Sequence, residues 1–238
     1  MKRALVLVLM IGMFFGFSGQ SLADAGGHGK DAVMKMHHVH ILMGHAMVMV
    51  TEGSNLVMIA GMKMSPATDK MTADHGKKMI ENGKAVVQRA LSGDEMMAMH
   101  KEGMTNDPMM KDTHSLGETI LKYIDIVQNM GMSGTDPSMM DMHHMHIMIN
   151  HALDMAAEGA NLVMLGDMKM AGSLDKYTVE HGRMMLQDAK ATIAGVSNSK
   201  AMTDMHKAGK GPGDDPMMAE THKLIETALK IIDQLEKM

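Results

Sequence analysis

Methionine and histidine stand three or four residues apart along most of this sequence. Met36 and His40 are four apart and run on to Met43 and Met47; Met34 pairs with His38 and His45 with Met49 in the same way. His75 precedes Met79 by four, Met96 and Met99 lead to His100, and Met110 precedes His114 by four. His37 completes the run Met36-His37-His38-Val39-His40. Side chains at these spacings share one face of a helix, so each pair sets a thioether beside an imidazole. Thioether is a soft, neutral ligand, and with imidazole it suits Cu(I) and the similar Ag(I), not Mg, Ca or Mn. It needs no deprotonation, so it holds metal at mildly acidic pH. A His-rich stretch such as His37-His38-His40 also suits Cu(II), which prefers nitrogen and oxygen.

The same residues return about a hundred positions later. Met36-His37-His38-Val39-His40 recurs as Met142-His143-His144-Met145-His146, and Glu52-Gly53-Ser54-Asn55-Leu56-Val57-Met58 as Glu158-Gly159-Ala160-Asn161-Leu162-Val163-Met164. The offset is 106 through His100/His206 and becomes 108 after an insertion near Gly211-Pro212-Gly213. Nearly half of the paired positions are identical. Fixed-period self-similarity marks a structural repeat. Of 17 Met in the first repeat 12 are Met in the second, against 6 of 18 Leu, Ile and Val, so Met is held more tightly than the aliphatics that core packing alone would exchange for it. All seven His are kept: 37, 38, 40, 45, 75, 100 and 114 match 143, 144, 146, 151, 181, 206 and 222. The second set of metal-ligand candidates is therefore Met140, Met142, His143, His144, His146, His151, Met155, His181, Met185, Met202, Met205, His206, Met218 and His222.

Composition narrows the alternatives. The 238 residues hold 37 Met, 15 His and no Cys, with 2% aromatics, 45% apolar residues and a net charge of −5. Without Cys there are no disulfides, thiolate zinc sites, iron–sulfur clusters or covalent Cys-x-x-Cys-His haem. No basic stripe addresses nucleic acid. Lys2 and Arg3, the apolar run Ala4–Phe17 and Ser21-Leu22-Ala23 read as a secretory signal cleaved after residue 23, which places the mature chain in the periplasm and off the membrane. In an oxidising compartment Cys is lost to disulfides while Met survives as a ligand.

The elements that would carry these ligands are all helical. Residues 32–62 are apolar nearly all round, as in a buried helix. Ser65-Pro66 is expected to open a second helix to about 91, followed by a short one at 94–102 and a last one from Asp107-Pro108 to about 130. Counterparts fall at about 138–168, 173–195, 199–208 and 215–238. The expected fold is all-α, a tandem of two small four-helix bundles whose third helix is short, with a single interleaved bundle as the rival. The organisation is signal 1–23, flexible tail 24–32, repeat 33–130, linker 131–137 and repeat 138–238. On the first helix Met36/His40/Met43/Met47 and Met34/His38/His45/Met49 lie on nearly opposite faces, so several sites per repeat are expected.

Other functional classes fit less well. A di-iron carboxylate bundle needs Glu-x-x-His pairs, and none occurs; Glu52, Glu118, Glu158 and Glu226 read as solvated charge. Haem ligation would use one or two of the many Met and His. No serine nucleophile motif or phosphate loop is present. A Met-rich periplasmic chaperone or interaction module, or an oxidant sink cycling through methionine sulfoxide, explains the Met but not the paired His.

The Met/His-rich runs resemble those of periplasmic bacterial copper- and silver-resistance proteins. A bundle lined with soft ligands is similar to the bacterial four-helix copper-storage proteins, with Met and His in place of their Cys. The resemblance implies a non-enzymatic copper-binding protein that stores, buffers or delivers Cu(I) in copper homeostasis. It also implies a copper exporter or cuproprotein as partner, and it is compatible with self-association.

Overall fold

The computed structural model describes residues 30–63, 65–130, 137–169 and 172–237. The signal at 1–23, the tail up to residue 29 and residues 131–136 of the linker lie outside the described residues, while Pro137, read as the last linker residue, already opens the fifth helix. The described chain is an all-α bundle with no strand. Its elements are α1 (Lys30–Gly61), α2 (Asp69–Ser92), α3 (Asp94–Lys101), a 3-10 turn (Met104–Asn106), α4 (Pro108–Asn129), α5 (Pro137–Asp167), a 3-10 turn (Gly172–Leu174), α6 (Asp175–Ser197), α7 (Lys200–Lys207) and α8 (Pro216–Leu235).

The caps explain most of these boundaries. Asp107 accepts the backbone N–H of Met109 at 2.8 Å and Met110 at 3.3 Å ahead of Pro108, and Asp215 does the same for Met217 and Met218 ahead of Pro216. Two starts differ from the sequence expectation. Ser65-Pro66 opens a turn, in which the Ser65 carbonyl accepts from Thr68 and Asp69, and α2 begins only at Asp69. The segment read as tail reaches residue 32, but α1 already begins at Lys30.

Glycines set how closely the long helices approach. A Cβ on Gly76 of α2 would lie 2.5 Å from the Gly53 carbonyl oxygen of α1, and one on Gly53 would lie 2.6 Å from that of Gly76. Gly159 and Gly182 repeat the contact between α5 and α6. Only the missing side chain permits this spacing, which explains why these glycines persist in both repeats.

The question of two bundles or one is answered by the packing. Thr51 meets Asp154, Asn55 meets Asn150 and Gly44 meets Asn161, so positions rise along α1 as they fall along α5 and the two helices run antiparallel. Tyr123 of α4 donates its hydroxyl to Asn150 Oδ1, and Asn150 Nδ2 donates to Asn55 Oδ1 at 2.7 Å. Gln234 of α8 donates to Ser115 of α4 at 2.7 Å. The buried residues of both halves form one continuous core, so the halves share an interior instead of folding around separate ones. Among the described helices only α1 is long and apolar enough to cross a membrane. Half of that stretch is buried inside the bundle, as expected of a core helix.

Asp154 sits in the seam between the halves. Burial, reinforced by the charges of Glu52 and Glu158, pushes its carboxyl up to about 7, against the opposing hydrogen bond from Thr51. Its ordinary value is 3.8, so folding takes up a proton between those two pH values and stability falls as pH rises through them. Asp154→Asn should therefore stabilise the fold by about 1–3 kcal/mol at pH 8 and change little at pH 4, checked by denaturant unfolding at both. An equal effect at both pH values would contradict this account of the seam.

Candidate metal centre

The two ligand stripes of α1 have different fates. Met36, His40, Met43 and Met47 are buried in the core. On the other stripe, Met34, His38 and His45 are exposed and Met49 is half-buried. His37, between the stripes, is also buried. Helix α5 repeats the pattern: Met142, His143 and His146 are buried, Met140 and Met155 half-buried, and His144 and His151 exposed. On α2 and α6, His75 and His181 are exposed beside half-buried Met79 and Met185, and His181 stacks on Tyr177 with ring centroids 6.1 Å apart. These outer residues do not join the buried groups.

Helix α4 completes the buried set. Thr113 Oγ1 lies 2.6 Å from His40 Nε2, 3.0 Å from Met36 Sδ and 2.7 Å from the Met109 carbonyl oxygen. The hydroxyl has one proton, and a carbonyl is a better acceptor than a thioether. Thr113 therefore donates to Met109 and accepts from His40 Nε2–H. That assigns His40 the Nε2–H tautomer and leaves Nδ1 as a bare lone pair, buried and without a hydrogen-bond partner. The second half repeats the arrangement. His146 Nε2 is 2.8 Å from Thr221 Oγ1, Thr221 donates to the Met217 carbonyl, and His146 Nδ1 has no hydrogen-bond partner. An imidazole held through one N–H by a neighbour, with its other nitrogen free, is how proteins orient a histidine that ligates metal.

His40 and His146 are neutral, as ligands must be. Burial, helped by neighbouring His37, lowers His40 from 6.5 to about 3; burial and His143 do the same to His146. Burial also lowers His37, with Asp167 pulling the other way. The His37 and His40 ring centroids are 6.4 Å apart, and neither nitrogen of His37 has a hydrogen-bond partner.

Each half carries buried thioethers on the helix ends beside its own imidazoles, and because α1 and α5 run antiparallel the two sets lie at opposite ends of the bundle. Met96 and Met99 on α3 and Met110 on α4 are buried, and so are Met202, Met205 and Met218 on α7 and α8. The Lys35–Glu102 ion pair at 3.6 Å ties the end of α3 to the start of α1, and in the second half the Ser199 hydroxyl lies 3.8 Å from Met145 Sδ. By contrast Met43 and Met47, one to two turns deeper, are replaced at the matching positions of the second repeat by Ile149 and Leu153, equally buried, which is how core filler behaves. Met58 and Met164, kept and buried toward the far ends of α1 and α5, come level in the antiparallel register with the first turns of the opposite helix, where the other half's imidazoles lie.

The chain matches no family model, no curated protein and no solved structure. Its chemistry must be read from its own residues. Among those described, no group of three or more His, Asp or Glu converges to hold a metal. A centre here would therefore combine two imidazoles with thioether sulfur. Thr113 and Thr221, which orient the imidazoles, were not among the residues singled out from sequence. Their persistence beside His114 and His222 in both repeats was the available signal.

His37 gives a direct test of this reading of the buried nitrogens. A buried polar group without a partner costs about 1–3 kcal/mol. His37→Leu should stabilise the metal-free protein by about that amount, measured by denaturant unfolding. The gain should be larger at pH 5 than at pH 8, because unfolded His37 takes up a proton near 6.5 that the folded ring resists. A loss of stability at both pH values would show that His37 has a structural partner.

Proposed function

We propose that this chain binds copper outside the cytoplasm, buffering, storing or delivering Cu(I) through two buried Met/His centres. The first is built on His37 and His40 with Met36, Met96, Met99 and Met110; the second on His143 and His146 with Met142, Met202, Met205 and Met218. The observation that carries the reading is the recurrence, in both halves, of a buried imidazole whose Nε2 is held by a threonine and whose Nδ1 is left without a hydrogen-bond partner.

The oxidation state follows from charge. All these ligands are neutral, so the ion carries its full charge into the core. Desolvation scales with the square of the charge, making a divalent ion about four times as costly as a monovalent one. Thioether softness points the same way, and Ag(I) is accepted for the same reason. Copper is cargo in this account, and no reaction is assigned. The apolar leader with Ser21-Leu22-Ala23 supports a periplasmic setting, where a ligand set free of Cys keeps its capacity.

Anaerobic Cu(I) titration against a competing chelator tests the proposal. The intact chain should hold tightly bound Cu(I). His37→Leu with His40→Leu should remove about half of it, and adding His143→Leu with His146→Leu should remove nearly all, with helicity by circular dichroism unchanged. Cu(I) stoichiometry equal to wild type in the fourfold variant would overturn the assignment of these centres.

A further inference from the structure

A second His arrangement lies outside the buried centres. His100 on α3 and His114 on α4 bring their Nε2 atoms to 3.1 Å, and His206 on α7 and His222 on α8 do so at the same 3.1 Å. The rings are within 14° and 12° of parallel, with centroids 5.3 and 5.2 Å apart. His100, His114 and His222 are half-buried and His206 is exposed, so water reaches both pairs.

In each pair one ring donates its Nε2–H to the bare Nε2 of the other. A partly exposed hydrogen bond of this kind contributes only about 0.5–1.5 kcal/mol, which is little reason for its survival. Several surface positions ahead of the pairs have changed. Gly93-Asp94-Glu95 ahead of the first pair becomes Ser199-Lys200-Ala201, and Met97-Ala98 becomes Thr203-Asp204. Over these positions the charge goes from −2 to zero while the two imidazoles and their separation persist. Two nitrogens held about 2.0–2.1 Å from one tetrahedral ion stand roughly 3.3 Å apart, so the pair needs to open by only about 0.2 Å.

We infer that each His pair is a second kind of metal site, open to solvent, that takes a borderline divalent cation such as Zn(II) or Cu(II) and clips the short helix to its long neighbour. Nitrogen-only ligation with water completing the shell suits these ions, and their double charge stays hydrated at the rim. Helices α3 and α7 have 8 residues each, too few to be stable alone. They also carry the buried Met96, Met99, Met202 and Met205, so an ion at the rim fastens the elements that cover the thioether core. The inference does not depend on the Cu(I) reading.

Zn(II), which is redox-inert, is the probe. Calorimetric titration of the full chain should find two sites per chain whose affinity drops by about tenfold or more in His114→Asn/His222→Asn, since half of each ligand pair is lost. His100→Asn/His206→Asn should do the same, and His38→Asn/His144→Asn should leave these sites unchanged. Zn(II) should slow amide hydrogen exchange across residues 94–101 and 200–207. Wild-type Zn(II) affinity in both rim variants, or no added protection of the two short helices, would overturn the inference. Rim binding of Zn(II) in a protein that takes no Cu(I) would support it while ending the proposal of the preceding section.

Discussion

The hydrogen bond between His40 and Thr113, with its counterpart between His146 and Thr221, is the contact on which the candidate site depends. A bundle gains nothing by burying an imidazole it could replace with leucine: the ring loses its water, and at least one nitrogen must find a partner or go without. Here one nitrogen is supplied and the other is not. The threonine comes from the first turns of α4 or α8, just past an Asp-Pro start that fixes where the helix begins. A shift of one residue in that start would turn Thr113 about a hundred degrees away from His40. The cap and the ligand are thus coupled through helix register.

Much of the fold could be read before the structure. Apolar periodicity, caps and Asp-Pro starts located every helix to within a few residues, because those signals act locally. The choice between two bundles and one could not be read that way. It rests on Asn55, Asn150, Tyr123, Thr51 and Asp154 meeting across α1, α4 and α5, and nothing in the residue types announces their partners. Polar residues in such a seam fix register and orientation at a cost in stability, as the raised Asp154 carboxyl illustrates.

The ligands divide in the same way. Repeat comparison singled out Met36, Met96, Met99 and Met110 with His37 and His40, and these are the ones the structure buries at one end. It gave equal weight to His38, His45, His75 and Met34, which lie on the surface. Retention between repeats reports that a residue matters but not which way it faces. Helical spacing left two opposite stripes on α1 equally eligible, and only the docking of α2, α4 and α5 chose between them. The rim pairs His100–His114 and His206–His222 needed tertiary structure for another reason: their members are 14 and 16 residues apart, beyond any single-helix pattern.

The central claim is that thioether sulfur and imidazole nitrogen bind the same buried ion. X-ray absorption spectroscopy at the copper edge, on protein loaded anaerobically with one Cu(I) per half, reads this directly. The account predicts a monovalent edge with both nitrogen at about 2.0 Å and sulfur at about 2.3 Å in the first shell, distances typical of imidazole and sulfur ligation. A shell of nitrogen and oxygen alone would contradict it.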